Sequence, residues 1–427
     1  MKLSRYNVEI NVGDKNILYN TLTRKYLIYC DDDKFLVNNV MNNLNQKKFE
    51  IKEAEIIKKM LLKGMIIDDK FDELDKIRFD EINTRFQEHI FYLVIQPTLE
   101  CNFRCVYCYE KHKNICMDKS TEKSIIQLVE KISKKVDKII VAWFGGEPTL
   151  KFYDIIRLTN IFKEICNKNG CVYNARITTN GYLFNKENID KLKSLCIKNI
   201  QITLDGSKEY HDKQRPYIDG SGTFDIVKEN ILKIIDVGIN VTMRINVSKD
   251  NYDSIPKVLD IIPYEKRKYV NLNMAGLFQD KGKINLFKLY KIAIDKGYIY
   301  YNTSNKMVLC EGGAKSSLTI GPNGNISVCS VASENGMKIG RIDKHGNIII
   351  DNKSEYYKFH NTFVTDREMC RKCKQLPMCM GGCRYALYKN DKICNGLRPE
   401  GLSLEERIIL HYYNDYKNKY IKEEDLI

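Results

Sequence analysis

The chain has 427 residues, of which 43% are hydrophobic and 29% charged, and its formal net charge is +14. This composition is typical of a globular protein of two or three domains, and it excludes a disordered chain. The longest apolar runs fall short of the roughly 18 residues that cross a membrane, and the dispersed lysines form no nucleic-acid motif. We therefore expect no membrane and no nucleic-acid partner; an acidic peptide partner would suit the positive charge.

The first residues contain no apolar stretch of signal-peptide length, so we expect a cytoplasmic protein. In that compartment, 15 cysteines indicate metal binding or catalysis rather than disulfides. Three lie in 101–108 and seven in 310–394. The scattered ones are more often small buried hydrophobes; they are Cys30, Cys116, Cys166, Cys171 and Cys196.

Residues 1–85 are predicted to form a small separate domain. Alternating residues predict strands at 6–12, 16–20 and 25–29, followed by helices at 34–44 and 54–63 and a short strand at 65–67. This order is that of a winged helix, and its position resembles the element with which many peptide-modifying enzymes hold a leader peptide. The alternative is a structural cap. If the element recognises a leader, the peptide would add as an extra strand beside one of these edges.

Three cysteines follow the first strand of the next region. The apolar run Phe91–Ile95 predicts a buried strand, and Cys101, Cys105 and Cys108 come shortly after it, where α/β folds bind ligands. A structural zinc site takes four ligands, whereas a 4Fe–4S cluster held by three thiolates leaves one iron open. The spacing favours such a cluster; the alternative is a redox or zinc-binding cysteine cluster.

These residues resemble the motif C-x3-C-x-aromatic-C of the radical S-adenosylmethionine (SAM) enzymes, with Tyr107 at the aromatic position. The resemblance implies that the open iron binds the amino and carboxylate groups of SAM. It also implies that an electron from the cluster releases a 5′-deoxyadenosyl radical.

Residues 91–275 alternate strand and helix patterns, which predicts a parallel sheet with crossover helices. About six such units fit a partial (β/α)6 barrel, the fold of the family that the cysteine motif resembles. We expect strands near 91–96, 138–144, 172–179, 199–204, 240–247 and 268–275, with helices between them such as 121–135 and 152–168.

The second strand is followed by Gly145, Gly146, Glu147 and Pro148. Glycines allow a backbone to approach a ligand closely, and a carboxylate can bind an ammonium group. Alone this stretch is a weak turn signal. One strand after the cysteine loop, it resembles the Gly-Gly-Glu motif of the radical SAM family, which implies that it positions SAM.

Polar residues also end the next two predicted strands and therefore lie at the same edge of the sheet. By resemblance, Asn180 and Asp205 contact the ribose or carboxylate region of SAM, and Arg215 its carboxylate. The alternative for each is turn and helix-cap chemistry. We expect His211 to be a structural hydrogen-bonding residue rather than a catalyst, and no catalytic side chain can be assigned.

The C-terminal region carries a second set of cysteines, whose spacing C-x13-G-x4-C, C-x2-C-x5-C-x3-C and a final Cys resembles the SPASM extension of the radical SAM family. Two zinc knuckles would need eight ligands, one more than this set offers. The resemblance implies two auxiliary 4Fe–4S clusters, three in all. Cys370, Cys373, Cys379 and Cys394 would hold the distal one, and Cys310, Cys329 and Cys383 the proximal one.

Anaerobic sulfatase maturases of this family have an eighth cysteine and an aspartate base where this chain has Ser316 and Ser330. Both departures argue against sulfatase maturation. An open iron in the proximal cluster would resemble peptide maturases that bind a substrate thiolate there; Glu311 is an alternative fourth ligand.

We therefore predict a radical SAM/SPASM oxidoreductase that modifies a ribosomally made peptide, forming a thioether or another crosslink. Its partners would be a precursor peptide with its leader and an electron donor such as flavodoxin or ferredoxin. The alternatives are a sulfatase-maturase-like side-chain oxidase and a non-catalytic iron–sulfur or zinc protein. The expected domains are the winged-helix-like unit 1–85, the radical SAM core 86–300, the SPASM domain 301–400 and a C-terminal helix within 401–427.

Overall fold

The structure is a computed structural model that describes residues 1–46, 48–277, 284–300, 310–389, 394 and 401–427. Across these ranges, no helix combines the length and the apolar character that a membrane crossing requires.

The N-terminal region begins with short strands and continues with helices. Its elements are β1 (Lys2–Leu3), β2 (Asn7–Val12), β3 (Lys15–Asn20), β4 (Lys25–Tyr29), α1 (Asp31–Asn42), α2 (Ile51–Leu62), β5 (Ile66–Ile67) and α3 (Glu73–Arg85). Strands β2, β3 and β4 form an antiparallel sheet in that order, and β5 pairs with β1. The order of strands and helices agrees with the winged-helix pattern expected from the sequence.

The central region alternates strands and helices. Its elements are β6 (Ile90–Ile95), α4 (Lys119–Ser133), β7 (Lys138–Trp143), α5 (Phe152–Lys168), β8 (Val172–Thr179), α6 (Lys186–Leu192), β9 (Ile197–Thr203), α7 (Lys208–Gln214), α8 (Phe224–Asp236), β10 (Asn240–Val247), α9 (Ile255–Val258), β11 (Val270–Gly276) and α10 (Leu286–Asp295). Strands β6 to β11 are parallel and adjacent in chain order, as a partial barrel of six βα units requires. The predicted fold class is confirmed.

The C-terminal region consists of short elements followed by a long helix. They are β12 (Ser317–Ile320), β13 (Asn325–Ser327), α11 (Ser330–Glu334), β14 (Gly340–Ile342), β15 (Ile348–Ile350), α12 (Lys353–His360), α13 (Glu368–Arg371), α14 (Leu376–Cys379), α15 (Arg384–Lys389) and α16 (Leu404–Lys417).

One sheet joins the central and C-terminal regions. Its described strands run in the order β11-β10-β9-β8-β7-β6-β12-β13-β14-β15, and β12 lies parallel to β6. The sequence predicted a domain boundary between residues 300 and 301, next to residues 301–309, which lie outside the described ranges. The sheet itself continues across that boundary, because the chain returns to pair with the first barrel strand.

The barrel strands have one face against the helices and one polar face. In β8, Tyr173 and Ile177 are buried, and the Tyr173 ring lies 6.4 Å from that of Phe162 on α5. The opposite face of β8 carries Arg176, and the same face of β10 carries Arg244; both arginines are partly exposed. The alternation places a polar lining inside the barrel, as expected for a site that binds a polar ligand.

Helix α16 connects the N-terminal sheet to the barrel. Ile408 packs in the apolar cluster of β2, β3 and β4, whereas Leu410 belongs to the main core of the barrel. Ser403 and Glu406 form a capping box at the start of the helix, which fixes where it begins.

Candidate functional site

The predicted cysteine loop leaves the carboxyl end of β6 and is held from two sides. On one side, the N–H of Arg104 donates to the Pro216 carbonyl at 2.9 Å, and the N–H of Val106 to the Gln214 carbonyl at 3.0 Å. On the other side, residues 97–99 pair with 113–117. Backbone hydrogen bonds therefore fix a loop that has no regular secondary structure of its own.

The three thiols of this loop differ in exposure. Cys101 is buried, Cys105 is partly buried and Cys108 is exposed. Burial, with the nearby Glu147, Cys105 and Cys108, raises the pKa of the Cys101 thiol to about 12, although the N–H of Phe103 opposes the shift. A cation bound at the three sulfurs would reverse this shift, because metals bind the thiolate form.

Tyr107, the aromatic residue of the motif, is the centre of a polar network. Its hydroxyl donates to Asp205 and accepts from Arg215 Nη1 at 2.7 Å and from Asn246 Nδ2 at 3.1 Å. The other oxygen of Asp205 accepts from the N–H of Asn246 at 2.7 Å. Burial raises the pKa of the Asp205 carboxyl, which its neighbours Arg215 and Tyr107 oppose.

The structure thus brings Tyr107 of the cysteine motif together with Asp205 and Arg215, two residues that were predicted to contact SAM. Asp205 is fully buried, and both of its oxygens are bonded to Tyr107 and Asn246. Through these hydrogen bonds, the Asp205 carboxylate fixes the position of the Tyr107 ring. Its direct contact with SAM stays a prediction.

Glu147 is likewise turned towards the protein. Oε1 accepts from Thr149 N at 2.9 Å and from Thr179 Oγ1 at 2.7 Å, and Oε2 accepts from Asn180 N at 2.6 Å. The side chain is 1% exposed. These contacts fix the ends of β7 and β8 against each other. That this carboxylate positions SAM stays a prediction.

The two glycines before Glu147 allow the loop after β7 to lie directly on the cysteine loop. A Cβ on Gly145 would come within 2.4 Å of the Thr98 carbonyl, and one on Gly146 within 2.3 Å of the Glu100 carbonyl. Gly145 also has a positive φ of 121°. Close packing of the two loops therefore requires glycine at both positions, independently of any ligand.

Two buried donors beside the cysteine loop have no hydrogen-bond partner among the described residues: Arg215 Nε and Asn102 Nδ2. The Asn102 side chain is fixed through its oxygen, which accepts from Asn180 Nδ2 at 2.7 Å. The Arg215 guanidinium lies over the rings of Phe103 and Tyr107, 5.7 and 5.9 Å from their centroids. Buried donors are nearly always paired, so these two suit an anionic ligand such as a carboxylate.

His211 has the structural role that the sequence predicted. Its Nδ1 accepts from the Asp205 N–H at 3.0 Å, and its Nε2 lies 3.2 Å from Thr223 Oγ1. Burial and the charge of Arg215 hold the pKa of His211 well below its usual value. The ring is therefore neutral and carries its proton on Nε2.

Sequence reasoning missed a carboxyl next to the cysteine loop. Burial, with Glu334 and Glu147, raises the pKa of Glu110 to about 8. Glu334 in turn accepts from Gln96 Nε2 at 3.1 Å, and Gln96 directly follows β6. Gln96 therefore links the cysteine loop to α11, which starts just after Cys329. Sequence reasoning also missed Asn102 and Asn246, because an isolated amide side chain belongs to no recognisable motif.

The C-terminal cysteines form two groups. Burial raises the pKa of Cys329 to about 11, and Cys310 and Cys383 add to this shift. Burial likewise raises the pKa of Cys379 to about 11, and Cys394, Cys370 and Cys373 add to this shift; these four cysteines form the second group. Thiols influence each other in this way only when they are near neighbours.

Local backbone geometry accounts for the first of these two groups. Gly312 lies so close to Cys329 that a Cβ on it would be 2.5 Å from the cysteine Cβ. Gly324, the glycine of the motif, has a positive φ of 73° in the turn between β12 and β13. The two glycines bring the segments of Cys310 and Cys329 together. The side chain of Glu311, the alternative ligand, lies outside the described part of the structure.

Within the described ranges, no three or more His, Cys, Asp or Glu side chains lie around a common point. Thiol sets of three, three and four are donors that 4Fe–4S clusters can take, a set of three leaving one iron open. The donor set and the two unpaired donors therefore fit the cofactors that the sequence predicted.

Comparison with protein families agrees with this geometry. Residues 95–262 match the family model of the Radical SAM superfamily, and residues 310–374 match that of the SPASM iron–sulfur cluster-binding domain.

Two characterised relatives cover different shares of the chain. Fe-coproporphyrin III synthase of Methanosarcina barkeri is 31% identical over 176 residues, which are 41% of this chain and 41% of that protein. The chain thus spans less than half the length of this relative. The cysteine-type anaerobic sulfatase-maturating enzyme of Clostridium novyi is 26% identical over 334 residues, 68% of this chain and 87% of that enzyme.

Solved structures of similar fold include anSMEcpe with bound AdoMet and Cp18Cys peptide, with a TM-score of 0.60 and 19% identity over 78% of this chain and 100% of that chain. SuiB of Streptococcus suis, bound to its precursor peptide SuiA, has a TM-score of 0.53 and 16% identity over 92% of this chain and 99% of that chain. At these identities the likeness establishes the fold.

Proposed function

Because the chain belongs to the radical SAM superfamily and carries a SPASM domain, we propose that it modifies a ribosomally made peptide and forms a thioether or another crosslink. The observation that carries this proposal is the grouping of the cysteines into sets of three, three and four. Each set of three leaves one coordination position of a 4Fe–4S cluster without a cysteine ligand.

The first set is Cys101, Cys105 and Cys108, which would hold the cluster that binds SAM. Arg215 Nε and Asn102 Nδ2 would bind the SAM carboxylate, and the hydroxyl network of Tyr107 keeps Arg215 in position. When bound, the cofactors supply a 5′-deoxyadenosyl radical that abstracts a hydrogen atom from the peptide, and an acceptor for the second electron. The protein contributes orientation and the exclusion of water.

The second set of three, Cys310, Cys329 and Cys383, would hold the proximal auxiliary cluster, and its free position would take a thiolate of the peptide. The distal cluster would have four cysteine ligands. Two structures of the same fold contain bound peptides, Cp18Cys in anSMEcpe and SuiA in SuiB. They support a peptide substrate for this chain as well.

A second candidate is oxidation of a protein side chain, as in a sulfatase maturase. The 26% identity to the cysteine-type anaerobic sulfatase-maturating enzyme over 68% of the chain favours it. Ser316 and Ser330 oppose it, since the resemblance to that class implies a cysteine ligand and an aspartate base at these two positions. Mass spectrometry of a sulfatase-derived cysteine peptide tests this candidate. Conversion of the cysteine to an aldehyde would support side-chain oxidation as the function.

Anaerobic reconstitution tests the main proposal. We expect about twelve irons per chain and 5′-deoxyadenosine formation from SAM and a reductant. Triple replacement of Cys101, Cys105 and Cys108 by alanine should abolish 5′-deoxyadenosine and leave about eight irons. The control Cys30→Ala should change neither quantity, because this thiol lies in the N-terminal region. An unchanged iron content in the triple variant would overturn the assignment of the first cluster.

Electron paramagnetic resonance of the auxiliary clusters tests the place of the substrate thiolate. Addition of a cysteine-containing peptide should change the signal of the cluster held by Cys310, Cys329 and Cys383. The same peptide with serine in place of cysteine is the control. An identical signal with both peptides would exclude thiolate binding at this position.

A further inference from the structure

Helix α11 carries a carboxylate from the segment of Cys329 towards the cysteine loop of the barrel. Cys329 is the N-cap residue of this helix, and Glu334 is its last residue. Burial raises the pKa of Glu110, two residues after Cys108, and the charge of Glu334 adds to this shift. Because charges influence each other in this way only at short range, the Glu334 carboxylate lies close to the cysteine loop, while its own helix begins at a proximal cysteine.

The protein holds this carboxylate by one of its two oxygens. Oε1 of Glu334 accepts from Gln96 Nε2 at 3.1 Å, and Gln96 itself is 1% exposed. Oε1 of Gln96 in turn accepts from Ser333 Oγ at 3.4 Å. Among the residues that the structure describes, Oε2 of Glu334 has no hydrogen-bond partner, and the side chain is partly exposed. One oxygen therefore fixes the position of the carboxylate and the other is open to a proton donor.

Formation of a thioether releases a proton that needs an acceptor. When a C–H and an S–H group are joined by a C–S bond, two protons and two electrons leave the peptide. The 5′-deoxyadenosyl radical takes one hydrogen atom from the carbon, and an oxidised auxiliary cluster takes one electron. The thiol proton remains. Because a free thiol has a pKa of about 8.5, most of it still carries this proton at neutral pH.

We propose that Glu334 is the catalytic base that takes the proton from the substrate thiol as the sulfur binds at the free position of the proximal cluster. The S–H bond breaks, its electron pair stays on the sulfur, and the proton moves to Oε2. The partly exposed carboxylate then releases the proton to solvent. The inference rests on the proposed function, because it assumes that a peptide thiolate binds the cluster held by Cys310, Cys329 and Cys383.

The charged and titratable groups that face Glu334 belong to the cysteine loop and to β10. Burial, Glu110 and Glu334 raise the pKa of Tyr109, whereas Arg244 on β10 lowers it. Helix α11 itself contains no other charged residue. Glu110 is the other carboxyl of this region, but it follows Cys108 and so adjoins the cysteines assigned to the SAM-binding cluster. Glu334 belongs to the helix that starts at a cysteine of the thiolate-binding set.

The rate at which a thiolate binds tests this role. The probe is acetyl-Gly-Cys-Gly-amide, mixed with the dithionite-reduced holoenzyme in the absence of SAM. Rapid freeze-quench electron paramagnetic resonance follows the signal of the proximal cluster. Glu334→Gln can still accept the hydrogen bond from Gln96, but it cannot take a proton, so the signal should change about tenfold or more slowly than in wild type. Asn335→Ala, an exposed residue just after the helix, is the matched control and should behave as wild type.

The outcomes separate the role of Glu334 from the proposed function. If Glu334 only holds Gln96 in place, the glutamine variant should react as fast as wild type, and this result would overturn the role of Glu334 alone. A probe that leaves the signal of wild type unchanged, as the serine analogue of the probe should, would overturn thiolate binding and the role of Glu334 together.

The pH dependence of the same rate provides a second measurement. In Glu334→Gln the rate should rise about tenfold per pH unit below the thiol pKa of about 8.5, because only probe that is already ionised can bind. The rate in wild type should depend less steeply on pH between 6 and 8, since the bound probe is deprotonated by the carboxylate. Parallel profiles in the two proteins would contradict the proposal.

If urea denaturation shows that the glutamine variant does not fold, Glu334→Ala serves the same purpose. The shorter side chain leaves space for a small carboxylate, so added formate should restore the rate of thiolate binding about fivefold or more. Formate should not change the rate in wild type. Lack of rescue in the alanine variant would overturn the assignment of Glu334 as the base.

Discussion

At the scale of single residues, the site depends on polar side chains that hold other side chains. Tyr107, Asp205 and Asn246 form a closed set of hydrogen bonds that fixes the position of Arg215. Each of these hydrogen bonds contributes to stability, because a buried polar group that loses its partner cannot form a hydrogen bond with water instead.

Tyr107→Phe should therefore destabilise the protein by about 1–3 kcal/mol and reduce SAM cleavage, since the Asp205 carboxyl and the Arg215 guanidinium each lose a partner. Urea denaturation measures the first effect and 5′-deoxyadenosine formation the second. Tyr153→Phe is the control, because Tyr153 is 68% exposed. Equal stability of the two variants would show that the network around Tyr107 does not contribute.

His411 predicts a specific pH dependence of stability. Burial, with Arg24 and Arg407, lowers the pKa of His411 to about 3 in the folded protein. In the unfolded chain a histidine has a pKa of about 6.5, so below that pH the unfolded state binds the extra proton. Stability should thus fall as the pH drops from about 6.5 towards 3.

The variant His411→Gln isolates this contribution. Between pH 7 and 5.5, wild type should lose about 1 kcal/mol more stability than the variant, because glutamine cannot take up a proton. Urea denaturation at the two pH values measures the difference. Parallel losses in both proteins would mean that His411 is not held neutral by the fold.

The sequence predicted the residues that carry a motif, and it did not predict what most of them contact. Glu147 was predicted to position SAM, but its partners in the structure, Thr149, Thr179 and the Asn180 backbone, were not predicted. The motif marks a position on the chain, whereas the partner of a carboxylate depends on which loops the fold brings together. Asn102 was missed because one amide in a loop has no characteristic spacing.

At the scale of elements, α3 is tied to the C-terminal region by a buried ionic network. Glu81 accepts from Arg384 Nη2 at 2.5 Å and from Arg85 Nη1 at 3.3 Å, and Arg85 Nε donates to the Gly313 carbonyl at 3.0 Å. All three charged side chains are almost fully buried. Gly313 and Arg384 adjoin the segments of Cys310 and Cys383, so this network supports the proximal thiol group.

Glu81→Ala should cost about 3–5 kcal/mol of stability, because two guanidinium groups remain buried without their carboxylate. Hydrogen exchange of residues 310–313 should increase in the same variant. Asp80→Ala on the same helix is the matched control: its ion pair with Lys76 is exposed and should contribute only about 0.3–0.5 kcal/mol. A similar loss in both variants would rule out a special role for the network.

The strands and helices were predicted well where the pattern is long. The expected strands at 172–179 and 240–247 and the helix at 152–168 have the bounds of β8, β10 and α5. The pairing of β12 with β6 was not predicted. Strand β12 has only four residues, all of them buried, and such a short run gives no indication of which strand it will pair with.

At the scale of the whole molecule, the regions are mutually dependent. Strand β12 covers the edge of β6, and α16 packs against both the N-terminal sheet and the barrel core. Removal of everything after Tyr300 would expose that edge and both apolar surfaces, and exposed edge strands promote aggregation.

A chain that ends at Tyr300 should therefore fail to give a monomer with cooperative unfolding, as measured by size-exclusion chromatography and circular dichroism. Co-expression of residues 301–427 as a separate chain should restore a stable complex, because the missing strand and helix are supplied again. A monomeric shortened chain with a single sharp transition would show that the barrel region is self-sufficient.

The pairing of β12 with β6 also bears on electron tunnelling in the proposed reaction. The cysteine loop follows β6 and Cys329 follows β13, so two redox groups would be attached to two strands of one sheet that have only β12 between them. Their separation would be set by strand register rather than by the docking of two domains. A shift of one residue in that register, about 3.3 Å along the strand, would change the tunnelling distance without altering any ligand.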